Sequence, residues 1–180
     1  GGLIGSASSN ALIQNNSTNA IVNSTKSNSG GLIGNSSTAV TNCHSSGEVN
    51  VAGDNSGGLI GLSSAAVSGS SSTSNVKNVG SAFVGNFMGG LVGTSQSTVT
   101  NSNATVTQTV SLFGVVPEGG YLDFGGFAGD SFSSSPIQNC FATGEVTVGD
   151  TAMYVGGLVG LADTAMLTEL FLGDILLLED

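Results

Sequence analysis

Residues 41–61 read TNCHSSGEVNVAGDNSGGLIG, and two features of that run decide the fold. Val49 and Val51 flank a polar residue, the period-2 alternation of a strand with one buried face. Residues 57–61 are then Gly-Gly-apolar-apolar-Gly. The block occurs as GGLIG at 1–5, 30–34 and 57–61, as GGLVG at 89–93 and 156–160, and as GGFAG at 125–129. Successive starts lie about 27 to about 36 residues apart, within the range of stacked repeat architectures. The strand block recurs with it: QNCFATGEVTV at 138–148 repeats the Asn, Cys, Gly, Glu and both valines of 41–51 in register. Looser copies are IQNNSTNAIV at 13–22 and VTNSNATVTQTV at 99–110, with VSGSSSTSNV at 67–76 weaker still.

Each repeat offers two or three short strands between Ser/Asn/Gly turns and has too little apolar surface to fold alone. Stacking coil on coil at about 4.8 Å pairs backbone with backbone and aligns inward Leu, Ile and Val into ladders. The paired glycines suit a corner where φ is positive or where backbones approach closely. The expectation is an all-β chain, a β-solenoid of about six coils over residues 1–160. Residues 112–124 (LFGVVPEGGYLDF) make the longest interval and read as a hairpin-like insertion. Residues 161–180 (LADTAMLTELFLGDILLLED) abandon the Ser/Asn/Gly composition. They read as a hydrophobic tail that caps the last coil or docks a neighbour, with a short helix capped at Asp163 or Thr164 and ended by Gly173.

The GG-L-[IV]-G block followed by a turn and an N-[SC]-x-[AS]-[ST]-G-x-V strand resembles the GLUG repeat. That family occurs in large surface-exposed and secreted microbial proteins, including adhesin-like proteins and non-catalytic parts of immunoglobulin-A-cleaving metallopeptidases. The resemblance covers residues 1 to about 160 and is tightest over 41–61 and 138–160. It implies an extracellular β-solenoid with no activity of its own and no catalytic residue to carry over.

Composition narrows the function. Gly, Ser, Thr and Asn make up roughly half of the 180 residues, charged residues are 8%, and tryptophan is absent. A hydrophobic content of 39% and a mean hydropathy of +0.29 argue against a disordered chain. Two lysines, Lys26 and Lys77, face 12 acids, for a net charge of −10. Nucleic acid and anionic lipid surfaces need cations that this chain cannot supply, and phosphoryl chemistry needs Arg or Lys clamps. The apolar run 165–178 is too short and too acidic for a membrane span of about 20 residues.

Residues that could carry chemistry have plainer readings. Cys43 and Cys140 hold the same repeat position three coils apart, roughly 14 Å at solenoid rise. A disulfide needs Cα atoms within about 7 Å, so two buried thiols are expected. Cys43 and the only histidine, His44, are adjacent on a strand and point to opposite faces, which leaves His44 facing solvent where the later repeat has Phe141. Glu48 and Glu145 are likewise three coils apart, too far for the ~5–10 Å carboxylate pair of a glycosidase. Asp123, Asp130, Asp150 and Asp163 lie near glycine blocks, as Asp54 does, but lack the strict spacing of calcium-binding nonapeptides; they are read as solvated acids. Asn15, Asn16, Asn23, Asn35 and Asn103 head N-x-[ST] sequons, weakly specific in so Asn-rich a chain. The Thr-x-Thr run at 105–109 does not recur from coil to coil, as an ice-binding ladder would.

No catalytic, cofactor or metal site is expected. The functional expectation is a structural or adhesive extracellular solenoid, a subunit or segment of a surface filament or adhesin. It would associate head to tail with itself or with flanking repeats of the same chain, and its outward faces would meet a surface glycan or a host or matrix ligand. The alternative is a non-catalytic spacer or glycan-binding module of a larger secreted enzyme, such as an immunoglobulin-A-peptidase-like protein.

Overall fold

A computed structural model describes residues 1–79, 86–110, 122–132, 136–148, 154–162, 167–168 and 171–179. All strand pairings among them are parallel and join one repeat to the next, which is a β-solenoid. Four sheets run along the stack. Sheet 1 holds Ile4–Ala7, Ile33–Ser36, Ile60–Ser63, Val92–Ser95, Ala128–Ser131 and Val159–Ala162. Sheet 2 is made of two-residue strands, from Ile13–Gln14 through Val40–Thr41, Val67–Ser68, Val99–Thr100 and Ile137–Gln138 to Leu167–Thr168. Sheet 3 carries the long strands Ser17–Ser24, His44–Val51, Ser71–Asn78, Asn103–Val110, Phe141–Val148 and Phe171–Glu179. Sheet 4 contains Ser29–Gly30, Ser56–Gly57, Asn86–Gly89, Leu122–Gly125 and Tyr154–Gly156.

The register converts sequence repetition into columns of like side chains. Ile13, Val40, Val67, Val99 and Ile137 stack in sheet 2, all at most 2% exposed. Val49 and Val76 align in sheet 3, with Val22 below them. Each buried branched side chain contributes about 1.5–3 kcal/mol relative to exposure, so the columns supply most of the drive to stack. Backbone bonds lock the steps together: the Leu32 N–H donates to the Leu59 carbonyl at 3.0 Å, and the Leu59 N–H to the Leu91 carbonyl at 2.9 Å.

The glycine pairs divide the interior. A Cβ added at Gly31 would run into the Gly58 carbonyl oxygen and crowd Ser45 and Ser74, and one at Gly58 would meet the Gly90 carbonyl oxygen and Ser72. Here the GG block crosses close beneath the middle of sheet 3, and no side chain fits between them. The core is accordingly split into two apolar clusters, one around Leu32, Ile60, Val92 and Phe127, the other around Val49, Val76, Met88 and Phe124. Close backbone approach, not positive φ, is the reason for the glycine pairs, because neither Gly31 nor Gly58 adopts positive φ. The left-handed corners fall instead on asparagine: Asn15, Asn42, Asn101 and Asn139 at φ 56, 51, 50 and 52°, with Gly69 at 58° in the same column. Asn28 and Asn55 mark a second such corner at φ 61 and 53°. Apart from glycine, Asn is among the few residues that tolerate this conformation at low cost.

Two expectations are corrected. The helix placed in the tail from Asp163 or Thr164 to about Leu172 is not formed where the chain is described: Leu167–Thr168 and Phe171–Glu179 are strands. They pair with Ile137–Gln138 and Phe141–Val148, the latter with a one-residue irregularity between Ala142 and Gly144. Among the described residues there is no helix, and so none long and apolar enough to cross a membrane. The insertion at 112–124 lies mostly outside the described residues, but its last three residues, Leu122, Asp123 and Phe124, belong to a sheet 4 strand paired with Asn86–Gly89.

Candidate functional site

Cys43 and Cys140 are free thiols, each 1% exposed. Cys43, Ser70, Ser102 and Cys140 form one inward polar column at the end of sheet 2. Each side chain donates to the carbonyl two residues earlier: Cys43 to Thr41 at 3.3 Å, Ser70 to Ser68 at 3.0 Å, Ser102 to Thr100 at 2.8 Å and Cys140 to Gln138 at 3.1 Å. Ser70 and Ser102 also accept the backbone N–H of Cys43 and Ser70, both at 3.1 Å. Burial pushes the Cys140 thiol above its ordinary pKa, against the opposing pull of its backbone hydrogen bonds. These cysteines close polar corners, and two coils stand between them.

His44 is half-buried on the outer face, with Nδ1 2.9 Å from the Ser71 hydroxyl, and shares its column with Ser17, Asn103 and Phe141. Glu48 bonds Lys77 of the next coil at 3.2 Å and accepts from Asn50 at 3.4 Å. The Lys77 and Asn50 hydrogen bonds hold its carboxyl below the usual range. Glu145 accepts from Thr147 at 2.8 Å. The strands Ser71–Asn78 and Asn103–Val110 separate Glu48 from Glu145, about 14 Å at sheet spacing. Asn15 and Asn23 are exposed, while Asn16, Asn35 and Asn103 are half-buried. Thr105 is exposed and accepts from Thr143 at 3.0 Å. Asp54 accepts from Ser27 at 3.3 Å, and its carboxyl is raised because burial outweighs that bond. Asp150 and Asp163 lie outside the described residues.

Asp123 and Asp130 depart from the reading as solvated acids: both are 0% exposed. With Phe87, Phe132 and Leu161 they line a cavity of about 310 Å³. Neither carboxylate oxygen of Asp123 has a hydrogen-bond partner, and burial raises this carboxyl from 3.8 to about 6. Phe87 and Phe132 meet edge to face, with centroids 6.1 Å apart and planes at 79°. Among the described residues no group of three or more His, Cys, Asp or Glu side chains could hold a metal ion.

The first coil presents the other distinctive surface. Ile4–Ala7, Ile13–Gln14 and Ser17–Ser24 each end their sheet and pair on one side only. Leu3 on that coil is 55% exposed, whereas Leu32 and Leu59 at the same repeat position are sealed; Leu12 and Ile21, 80 and 69% exposed, stand in columns that later coils also turn outward, with Glu48 following Ile21. No family model, curated protein or solved structure matches the chain.

Proposed function

We propose that this chain is a structural and adhesive β-solenoid segment of an extracellular surface protein or filament, and that it works by stacking end to end. In this reading six coils form the rod, with Leu167–Thr168 and Phe171–Glu179 as strands of the last of them, and the outward Ser, Thr and Asn faces make contacts. The observation that carries it is the unbroken parallel register of the repeats, in which each coil completes the strand edges of the one before it. An uncovered parallel edge is a template for another strand. The partner that matches it best is another coil of the same period, either in flanking repeats of the same chain or in a second copy. Head-to-tail addition does not close on itself and yields a filament. The resemblance to GLUG repeats supports the extracellular setting.

Electron microscopy and light scattering of the purified chain over a wide concentration range test this. Rods one solenoid wide that lengthen with concentration are expected. Ile21→Lys, which puts a charge on the template strand, should leave short particles. A wild-type chain that stays monomeric at high concentration overturns self-stacking.

A further inference from the structure

The cavity beside Asp123 lies where the lower coils keep a neutral hydrogen-bonded column. There the Asn55 side chain donates to Asn28 at 2.8 Å and accepts from Thr94 at 2.6 Å. One coil further on, the position before the paired Ser56 and Met88 changes from Asn55 to Phe87, and Thr94 is succeeded in sheet 1 by Asp130. Phe87 is then paired with Asp123, and Asp130 with Leu161. The column thus loses its amide and hydroxyl partners and gains two carboxylates and two aromatic rings, and it opens into about 310 Å³. That volume is at the lower end of ligand-binding cavities, which are mostly apolar with a few convergent polar groups.

From this geometry we infer that the cavity lined by Phe87, Asp123, Asp130, Phe132 and Leu161 binds a small organic cation, an ammonium group on a short apolar stem. Asp123 supplies the charge. Its carboxylate is fully buried and neither oxygen is hydrogen-bonded, and a buried ionised carboxylate is costly until a counter-charge reaches it. An ammonium supplies that charge and up to three charge-assisted hydrogen bonds. The rings of Phe87 and Phe132 add cation–π attraction, and Leu161 packs on the stem. A bare divalent ion fits poorly, since calcium takes six to eight oxygen ligands and three of the five lining residues are apolar. Of the chain's two lysines, Lys77 is engaged by Glu48 and Lys26 lies in the turn before Ser29–Gly30, three strands of sheet 4 from Leu122–Gly125, so the cation is a separate molecule, and the net charge of −10 draws it in.

The test is an NMR titration of the whole chain with n-butylammonium, with 1-butanol and calcium chloride in parallel. Saturable shifts confined to Phe87, Phe132 and Leu161 are expected from the amine alone. Asp123→Asn, which keeps the shape and removes the charge, should weaken the amine at least tenfold, whereas Asp54→Asn, an acid away from the cavity, should leave binding unchanged. Folding of each variant is checked by its unperturbed β-sheet amide shifts. Absence of saturable amine binding overturns the inference. So does equal binding by Asp123→Asn, equal binding of the alcohol, or saturation of the same residues by calcium.

Discussion

Replacing Asp123 by Asn should stabilise the protein at neutral pH and flatten its response to acid. The carboxyl titrates near 3.8 when unfolded and near 6 when folded. Two units at 1.36 kcal/mol each set a ceiling of about 3 kcal/mol. The carboxylate has no exposed surface, yet it borders a cavity that water can enter, and such screening reduces the effect to ~1.5 kcal/mol. The sign follows from proton uptake. Between these two values the folded state holds the extra proton, so stability rises as pH falls through 6 and the gain is complete below 3.8. Above 6 the penalty is fully present. The groups facing Asp123 are Asp130 on sheet 1 and, along its own sheet, Phe87 and Tyr154. Glu48, whose carboxyl is held low, responds in the opposite sense, but it is common to both proteins and cancels in their difference. Urea unfolding followed by circular dichroism at a series of pH values measures that difference. Asp123→Asn should exceed wild type by ~1.5 kcal/mol at pH 7, roughly 0.7 M in midpoint at a slope of about 2 kcal/mol/M, and converge with it near pH 4. A variant less stable than wild type at pH 7, or a difference independent of pH, refutes the reasoning.

Gly58→Ala should cost about 3 kcal/mol or more, because its Cβ would collide with a backbone carbonyl that cannot yield. Gly5→Ala, where a Cβ meets nothing within 4 Å, should be neutral within about 0.5 kcal/mol in the same urea titration. Asn42→Ala should lose about 1–2 kcal/mol by forcing alanine into left-handed backbone, whereas Asn42→Gly should stay close to wild type in thermal unfolding. Neither thiol should react with an aromatic disulfide reagent in the native protein, and both should react in denaturant. Cys43→Ser should fold with little loss, because Ser70 and Ser102 already fill that column.

The stack itself was legible because its two requirements restrict residue identity. A backbone crossing with no room for Cβ admits only glycine, and a column buried on one face asks for Val or Ile at every second position. The asparagine corners left an equally regular mark, Asn at 15, 42, 101 and 139 before the polar column, yet in an Asn-rich chain it reads as composition. The tail was misjudged for a different reason. Its leucines and flanking cap residues favour a helix locally, but Phe171 aligns with Phe141 and Leu176 with Glu145, so it continues the strand block in altered residues and the template strand overrides propensity. Burial of the two aspartates was hidden because charge says nothing of depth. A trace existed: the residue after each glycine block runs Ser6, Asn35, Leu62, Thr94, Asp130, Leu161, and a position that takes leucine twice is not freely solvated.

The departures from the repeat rules fall together. Where sheet 3 aligns Val49 with Val76, the next coil has Gln108, 0% exposed within an apolar column. Its amide nitrogen donates to the Gly125 carbonyl at 2.8 Å, and its amide oxygen has no partner. An unpaired buried acceptor costs about 1–3 kcal/mol, and valine at this position would have cost nothing. What the glutamine gains is a fixed position for Gly125, two residues along the strand Leu122–Gly125 from Asp123. Phe87, Asp123 and Asp130 line the cavity, Gln108 holds the strand that carries Asp123, and all four stand where earlier coils keep Asn, Leu, Thr or Val. In a protein whose other columns obey stacking rules, departures that reduce stability and converge on one cavity are the physical signature of a site rather than of a spacer coil.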